Sequence, residues 1–313
     1  MAASLTIAVA SFQRRDHLAT LLGSLASALA EPTGSEVDVL VVLDGSTDGS
    51  DALVDEMVAG FPVPLRHVWQ PNRGLAAARN VGIAAATGDL VWLLDDDMVV
   101  ERSAVVRHLG HSRDAARILM GPYDVHSDNP DIIRAFWWYE ERHRRLAADS
   151  IVRDPHDAAF ANTSAPTTLL RAHPFDERFR GYGLEDYELA VRLLAAGEVI
   201  MFDPQAAIAH HLSPSRSESL RKMREEGVNR MLFLAIHPSY EHVILRANPG
   251  RAERILRRVA RLPVSTGLWW LAQSLEAVGS WRLTRKYRQR LLGYAELVAV
   301  YSGVASQRSS GAR

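Results

Sequence analysis

Three consecutive aspartates, Asp95, Asp96 and Asp97, follow the apolar run Leu90–Leu94. Adjacent like charges repel one another, so a cation or hydrogen-bond donors must offset their repulsion. Alternation along an extended chain puts Asp95 and Asp97 on one face, where paired carboxylates suit a hard divalent cation. Asp96 faces the other way and is expected to hold the loop by accepting hydrogen bonds from backbone N–H groups. The alternative is a solvated acidic loop, which the apolar run before it disfavours.

Two further polar groups lie where strands are expected to end. The predicted strand LTIAVASF ends in the segment Ser11-Phe12-Gln13-Arg14, and the run VDVLVVLD ends at Asp44, which Gly45 follows. A carboxylate here can accept from the imide N–H of a pyrimidine base or from ribose hydroxyls, and glycine lets the backbone come close. By itself DGSTDGS is more typical of a turn that begins a helix. Together with the aspartate triplet it indicates a nucleotide site, because ligands bind beyond the carboxyl ends of parallel strands.

The alternation of short β-branched runs with Ala- and Leu-rich stretches predicts the elements that position these residues. From Leu5 to Asp97 it indicates βαβ units and a parallel sheet buried on both faces. Further strands are predicted at ARILMGPYDV, NTSAPTTLL and VIMFDPQAAIAH, and helices at 131–148 and 185–196. After Ser213 the sequence is typical of helices. We therefore predict an α/β catalytic domain over 1–213 and a helical extension over 214–313.

Composition excludes several classes of function. The chain has 313 residues, 47% hydrophobic, with a net charge of −1 and no cysteine. No overall positive field recruits nucleic acid, and disulfides, thiolate metal sites and cysteine nucleophiles are ruled out. The first residues lack a signal-peptide layout, and the late uncharged run Leu262–Leu275 is too short to span a bilayer. The predicted location is the cytoplasm, with the inner face of the membrane left open.

Six motifs carry a resemblance to a known family. In chain order they are VASFQRRDHLATLLGSL, VVLDGSTDGS, NRGLAAARNVGIAAATGD, LLDDDMVV, GYGLEDYELAVRLLAAG and AIAHHLS. Over residues 4–215 the chain resembles family 2 glycosyltransferases, which have the GT-A fold, a Rossmann-like mixed sheet flanked by helices. The resemblance implies an inverting, metal-dependent hexosyl- or N-acetylhexosaminyltransferase. Its donor would be a nucleoside-diphosphate sugar, UDP-sugars favoured, its acceptor a hydroxyl of a carbohydrate or glycoconjugate, and its cofactor Mn²⁺ or Mg²⁺.

The resemblance also implies a role for individual residues. The nucleotide and donor set comprises Ser11, Asp44, Arg79, Asp95 and Asp96, with Ser11 and Asp44 at the base and Asp95 toward the ribose or sugar. Asp97 and His210, favoured over His211, would ligate the metal, and Asp186 would be the general base. The acceptor set comprises Glu185, Tyr182 and Trp137.

Each of these assignments has an ordinary structural alternative. Glu185 and Asp186 could simply be acids that the helix dipole favours in a first turn, and a histidine at a strand end is often structural. The aromatic residues around Trp137 could pack a helix against the core. The chain also departs from the family pattern at Ala10, Gln13 and Leu43, which leaves the base and sugar preference open.

Two other functions were weighed. A non-catalytic carbohydrate- or partner-binding GT-A module is disfavoured because the acidic residues are intact. A sugar nucleotidyltransferase is disfavoured because VASFQRRDH has neither the glycine nor the lysine of a phosphate loop.

The C-terminal part has a basic character of its own. Residues 251–290 contain ten basic residues and two acids, with GLWWLAQSL between the basic clusters. This pattern suits either a membrane surface or a helical packing and homodimer surface, and we favour the second.

Overall fold

The computed structural model describes residues 3–111, 118–127, 137–211, 216–244, 251–260, 265–279 and 285–310. The chain divides into two compact units: the first contains residues 1–177 and 185–213, and the second contains 178–184 and 214–313. The segment 178–184, which the sequence analysis assigned to the first domain, groups with the second unit.

The first unit begins with the predicted alternation of strands and helices. These elements are β1 (Leu5–Ser11), α1 (Arg15–Ala28), β2 (Val37–Asp44), α2 (Ser50–Val58), β3 (Leu65–Gln70), α3 (Leu75–Ala85) and β4 (Leu90–Asp95). Their inward-facing residues form one core with the leucines of α1, and Trp92 is fully buried in it.

The rest of the first unit has shorter elements. They are β5 (Met98–Val99), α4 (Arg102–His111), β6 (Ile118–Met120), β7 (Tyr123–His126), α5 (Trp137–Asp149), β8 (Ile151–Val152), β9 (Asn162–Pro166), α6 (Thr167–Ala172), α7 (Glu185–Ala195), β10 (Ile200–Phe202) and β11 (Ile208–His211). The strand prediction for NTSAPTTLL is wrong after Pro166, where α6 begins. Proline has no N–H to continue a strand ladder, and it fits the start of a helix. The predicted helix at 131–148 starts among residues outside the described ranges.

An eight-stranded sheet sets the position of the polar residues. Its strand order is β3-β2-β1-β4-β9-β6-β10-β8. β1 is parallel to both β2 and β4, with Ser11 opposite Leu43 and Ala10 opposite Asp95. The carboxyl ends of β1, β2 and β4 therefore meet at one edge of the sheet, where Ser11, Asp44 and Asp95 lie.

A separate three-stranded sheet, in the order β5-β11-β7, brings a late part of the chain to the triplet. β5 starts directly after Asp97, and β11 pairs with it so that His210 lies opposite Met98. The N–H of His211 also donates to the carbonyl of Asp97 at 3.0 Å. This pairing fixes His210 beside Asp97.

The described part of the second unit consists of helices. They are α8 (Arg216–Ile236), α9 (Glu241–Ile244), α10 (Arg251–Val259), α11 (Ser265–Gly279) and α12 (Arg285–Ser310). α8 and α12 approach so closely that a Cβ on Gly227 would lie 1.9 Å from the carbonyl oxygen of Val300. Among the described residues, no helix is long and apolar enough to cross a membrane. Trp270 and Leu271 are exposed on α11, and the choice between a membrane and a dimer surface stays a prediction.

Candidate donor and acceptor site

Asp97 is held between a cation and a histidine. Its Oδ2 accepts a hydrogen bond of 2.8 Å from Nη1 of Arg14, and its Oδ1 lies 3.2 Å from Nε2 of His210. Oδ1 is buried and has no hydrogen-bond partner among the described residues. Burial alone would raise the pKa of Asp97, but His210 and Arg14 outweigh it and keep this pKa well below its usual range. The carboxylate is therefore ionised, and its Oδ1 faces the imidazole of His210.

These residues fit a metal that is only partly held by protein. Among the described ranges there is no group of three or more His, Asp or Glu side chains that could hold an ion. Asp97 and His210 offer one oxygen and one nitrogen. Mg²⁺ and similar cations commonly keep few protein ligands and complete their shell with water and substrate phosphates. The facing Oδ1 of Asp97 and Nε2 of His210 suit that arrangement.

Asp96 and Asp97 lie in the turn after β4, and Nη1 of Arg14 contacts both, so the predicted placement of Asp96 on the opposite face is wrong. The donors to the carboxylate of Asp96 are side chains. It accepts from Oγ of Ser11 at 2.8 Å and from Nη1 of Arg14 at 3.2 Å. The expectation of backbone N–H donors is therefore corrected: the β1–α1 loop supplies the hydroxyl and the guanidinium. Burial and the charge of Asp97 raise the pKa of Asp96 to about 7, against the opposing effects of Arg14 and Ser11.

Arg79, in the helix that follows β3, links the triplet to the acids at the start of α7. Its Nη2 donates to Oδ1 of Asp95 at 2.9 Å, and its Nη1 donates to Oδ1 of Asp186 at 2.6 Å. Its guanidinium carbon lies 5.3 Å from the centre of the Phe175 ring. Burial alone would lower the pKa of Arg79. The charges of Asp186 and Asp95 outweigh burial and raise this pKa above its usual range, so the guanidinium stays charged.

The two acids at the start of α7 have different surroundings. Oδ2 of Asp186 accepts from the N–H of Phe160 at 3.0 Å, so both of its oxygens have donors. Glu185 is buried, 4.0 Å from Arg79, and its Oε2 has no partner among the described residues. Burial, together with the charge of Asp186, raises the pKa of Glu185 to about 7, while Arg79 opposes the shift. Asp186 is thus the better-supported carboxylate, and Glu185 readily holds a proton.

Asp44 fixes the loop between β3 and α3. Its Oδ1 accepts from Nε2 of Gln70 at 2.6 Å and from the N–H of Arg73 at 2.9 Å, and its Oδ2 accepts from the N–H of Gly74 at 2.8 Å. Gly45 has a φ of +83°, and a Cβ there would lie 2.7 Å from the backbone N of Asn72. Oδ2 keeps room for one further donor, and base recognition by Asp44 stays a prediction.

The acceptor residues predicted from sequence are not brought together within the described part of the first unit. Tyr182 belongs to the second unit, where its N–H donates to Oε2 of Glu225 at 3.0 Å and Nζ of Lys222 lies 5.3 Å from its ring centre. The side chain of Trp137 lies outside the described residues, although its backbone begins α5. The acceptor roles of Tyr182 and Trp137 stay predictions.

Arg14 is the site residue that the sequence did not identify. It is the last residue of the segment Ser11-Phe12-Gln13-Arg14, in which the sequence prediction names Ser11 alone as a site residue. The sequence did contain a signal for Arg14. It is a basic residue shortly after the first strand, and an acidic triplet ends another strand of the same predicted sheet.

Comparison with known proteins supports one family. Residues 6–166 match the family model described as glycosyl transferase family 2. The pre-mycofactocin glycosyltransferase of Mycobacterium tuberculosis is 28% identical over 272 residues, which cover 84% of this chain and 55% of that protein. The chain thus spans about half the length of this relative.

Two solved structures share the fold. The mannosyltransferase PcManGT from Pyrobaculum calidifontis, in complex with GDP-Man and Mn²⁺, superposes with a TM-score of 0.62 at 17% identity, covering 100% of this chain and 89% of that one. S. aureus TarS 1–349 in complex with UDP-GlcNAc has a TM-score of 0.56 at 16% identity, covering 98% and 92%. These similarities confirm the predicted fold, a mixed sheet flanked by helices.

Proposed function

The chain belongs to glycosyl transferase family 2, and we propose that it transfers a sugar from a nucleoside-diphosphate sugar to a hydroxyl group of a carbohydrate or glycoconjugate. The observation that carries the proposal is the buried Oδ1 of Asp97 facing Nε2 of His210 at 3.2 Å, with Asp95 linked through Arg79 to Asp186. In this proposal a cation binds between Asp97 and His210, and the separate carboxylate of Asp186 accepts a proton.

The donor side is built around the diphosphate. Asp97 and His210 would hold Mn²⁺ or Mg²⁺, and a bound metal supplies Lewis-acid stabilisation of the charge that develops on the leaving diphosphate. Asp44 would accept from the base, and Asp95 from ribose or sugar hydroxyls. PcManGT was crystallised with GDP-Man and Mn²⁺ and TarS with UDP-GlcNAc. We favour a UDP-sugar for this chain.

The acceptor side needs a base. As the acceptor oxygen bonds to the anomeric carbon, the bond from that carbon to the diphosphate breaks, and the diphosphate leaves with the electron pair. The hydroxyl proton passes to a carboxylate oxygen of Asp186, whose side chain Arg79 holds in place through a hydrogen bond of 2.6 Å. Such a base accelerates the reaction by roughly 10²–10⁴-fold. One displacement on one face inverts the anomeric centre.

The experiment that tests the proposal is a screen of nucleotide sugars for thermal stabilisation with Mn²⁺, followed by measurement of donor hydrolysis or transfer. Binding stabilises the folded state by an amount that depends on ligand concentration relative to Kd. We expect stabilisation by a UDP-sugar that is lost with EDTA and with Asp97→Ala. We expect Asp186→Asn to keep donor binding and to lose turnover by about 10²–10⁴-fold.

A matched control is Asp16→Ala on α1, because the side chain of Asp16 is 96% exposed and has no proposed role in donor or metal binding. It should change neither binding nor turnover. Full turnover in EDTA and in Asp97→Ala would overturn the metal-dependent proposal. Metal-dependent binding of the donor without any turnover would favour the non-catalytic module instead.

A further inference from the structure

Arg14 contacts the two carboxylates nearest to the proposed metal position. The same Nη1 lies 2.8 Å from Oδ2 of Asp97 and 3.2 Å from Oδ1 of Asp96. His210 approaches the other oxygen of Asp97. A guanidinium thus provides the positive charge that two adjacent buried carboxylates require.

We infer that Arg14 is an exchangeable placeholder cation, which pairs with Asp96 and Asp97 until a divalent metal binds and then turns to the donor diphosphate. The inference rests on the proposed function, and it adds a donor-binding role for Arg14. A metal ion beside Asp97 would repel a guanidinium on the same carboxylate. The diphosphate brings new negative charge, and the planar fork of an arginine matches phosphate oxygens.

The local structure allows the side chain to move while its backbone stays fixed. Gln13, immediately before Arg14, has a φ of +54° and is held on the loop after β2: its N–H donates to Oγ of Ser46 at 3.1 Å, and its Nε2 donates to Oγ1 of Thr47 at 2.9 Å. The side chain of Arg14 is 30% exposed. Reorientation therefore requires rotation about side-chain bonds and no refolding of the loop.

The test compares Arg14→Gln with the wild type in two titrations, Mn²⁺ alone and UDP in the presence of saturating Mn²⁺, both by calorimetry. Removal of a competing positive charge should tighten the binding of Mn²⁺ alone by about tenfold. Removal of a charge-assisted contact to the diphosphate should weaken the binding of UDP by about tenfold. The two shifts have opposite signs, and a purely structural role for Arg14 would not produce that combination.

Arg15→Gln is the matched control. It removes the same charge one residue further along, but the side chain of Arg15 is 44% exposed and lies 3.8 Å from Asp16 rather than at the triplet. We expect less than about a twofold change in either affinity, because exposed charges are well screened.

The inference is overturned if Arg14→Gln weakens the binding of Mn²⁺ alone or leaves it unchanged, or if the affinity for UDP does not fall. Should this variant fold poorly, Arg14→Lys serves instead: it keeps the charge, so Mn²⁺ should bind as in the wild type, while UDP should bind more weakly because lysine lacks the planar fork. Equal affinity for UDP in Arg14→Lys and wild type would also overturn the inference.

The same titrations separate this inference from the proposed function. If the wild type itself binds neither Mn²⁺ nor UDP, the proposed function fails. If it binds both and transfers sugar without these shifts in the variants, only the role of Arg14 fails.

Discussion

Two arginines divide the aspartate triplet between them, and they differ in their access to solvent. Arg14 forms ion pairs with Asp96 and Asp97, and its side chain is 30% exposed. Arg79 forms ion pairs with Asp95 and Asp186, and its side chain is 3% exposed. Both form short ion pairs with neighbouring carboxylates. Exposure therefore decides what such a pair can do: the accessible arginine can exchange partners, and the buried one fixes the relative position of two acids.

The buried cluster also has more acids than cations. Asp95, Asp186 and Glu185 all approach Arg79. Removing one member of a buried ion pair leaves the others without compensation, which costs much more than the pair itself contributes. This asymmetry leads to the first and largest predicted effect.

Arg79→Gln should lower the free energy of unfolding by about 3 kcal/mol, because it removes the buried guanidinium that Asp95 and Asp186 share and leaves both partly exposed carboxylates without their cation. Arg14→Gln should lower it by less, about 1–2 kcal/mol: Asp96 and Asp97 are buried, but the Arg14 side chain is 30% exposed, so water can take its place. Urea unfolding of the two variants under identical conditions measures the difference. Equal losses would remove the contrast between a structural and an exchangeable arginine.

Glu185→Gln tests whether the buried cluster holds a proton. The folded pKa of Glu185 is raised from its model-compound value of 4.5 to about 7. An acid with a raised folded pKa favours the folded state below its unfolded pKa, and that contribution is lost as the pH rises through the folded pKa. Between about pH 4.5 and 7 the wild type should lose stability relative to Glu185→Gln, by a total on the order of 3 kcal/mol.

Urea unfolding at several pH values measures this difference. Glu177→Gln is a suitable control, since Glu177 pairs with Arg73 at 2.5 Å in a half-exposed position. Its stability difference from wild type should show no comparable slope above pH 5. Parallel pH profiles for wild type and Glu185→Gln would show that Glu185 is already ionised in the folded protein.

The sequence was sufficient for the framework of the site. The runs that became β1, β2 and β4 are continuous and apolar because both faces of the sheet are buried, and their carboxyl ends follow directly from that assignment. The position of the triplet at the end of β4 was therefore predictable. The strand after Asn162 was predicted too long, since the effect of Pro166 on the ladder outweighs the strand propensity of the threonines.

The pairing of side chains was not predictable, because it depends on contacts between distant segments. Arg79 and Asp186 are 107 positions apart in the sequence. The local sequence AAARN does not show which carboxylate the guanidinium of Arg79 contacts. Arg14 was missed for the same reason, as the sequence does not show that this side chain, in addition to Ser11, reaches the triplet. His210 was identified through the family resemblance, and the three-stranded sheet provides the physical reason for its position.

The smallest predicted effect concerns Asp96. An asparagine at this position keeps an acceptor for Oγ of Ser11 and leaves Arg14 its bond to Asp97. Asp96→Asn should therefore change the affinity for UDP with Mn²⁺ by less than about fivefold, the equivalent of one ordinary hydrogen bond. Asp97→Asn, in contrast, should abolish metal-dependent binding, and calorimetric titration of the two variants measures the ratio. Comparable losses would mean that Asp96 is itself a metal ligand. The guanidinium of Arg14 would then compete with the metal for both carboxylates, rather than for that of Asp97 alone.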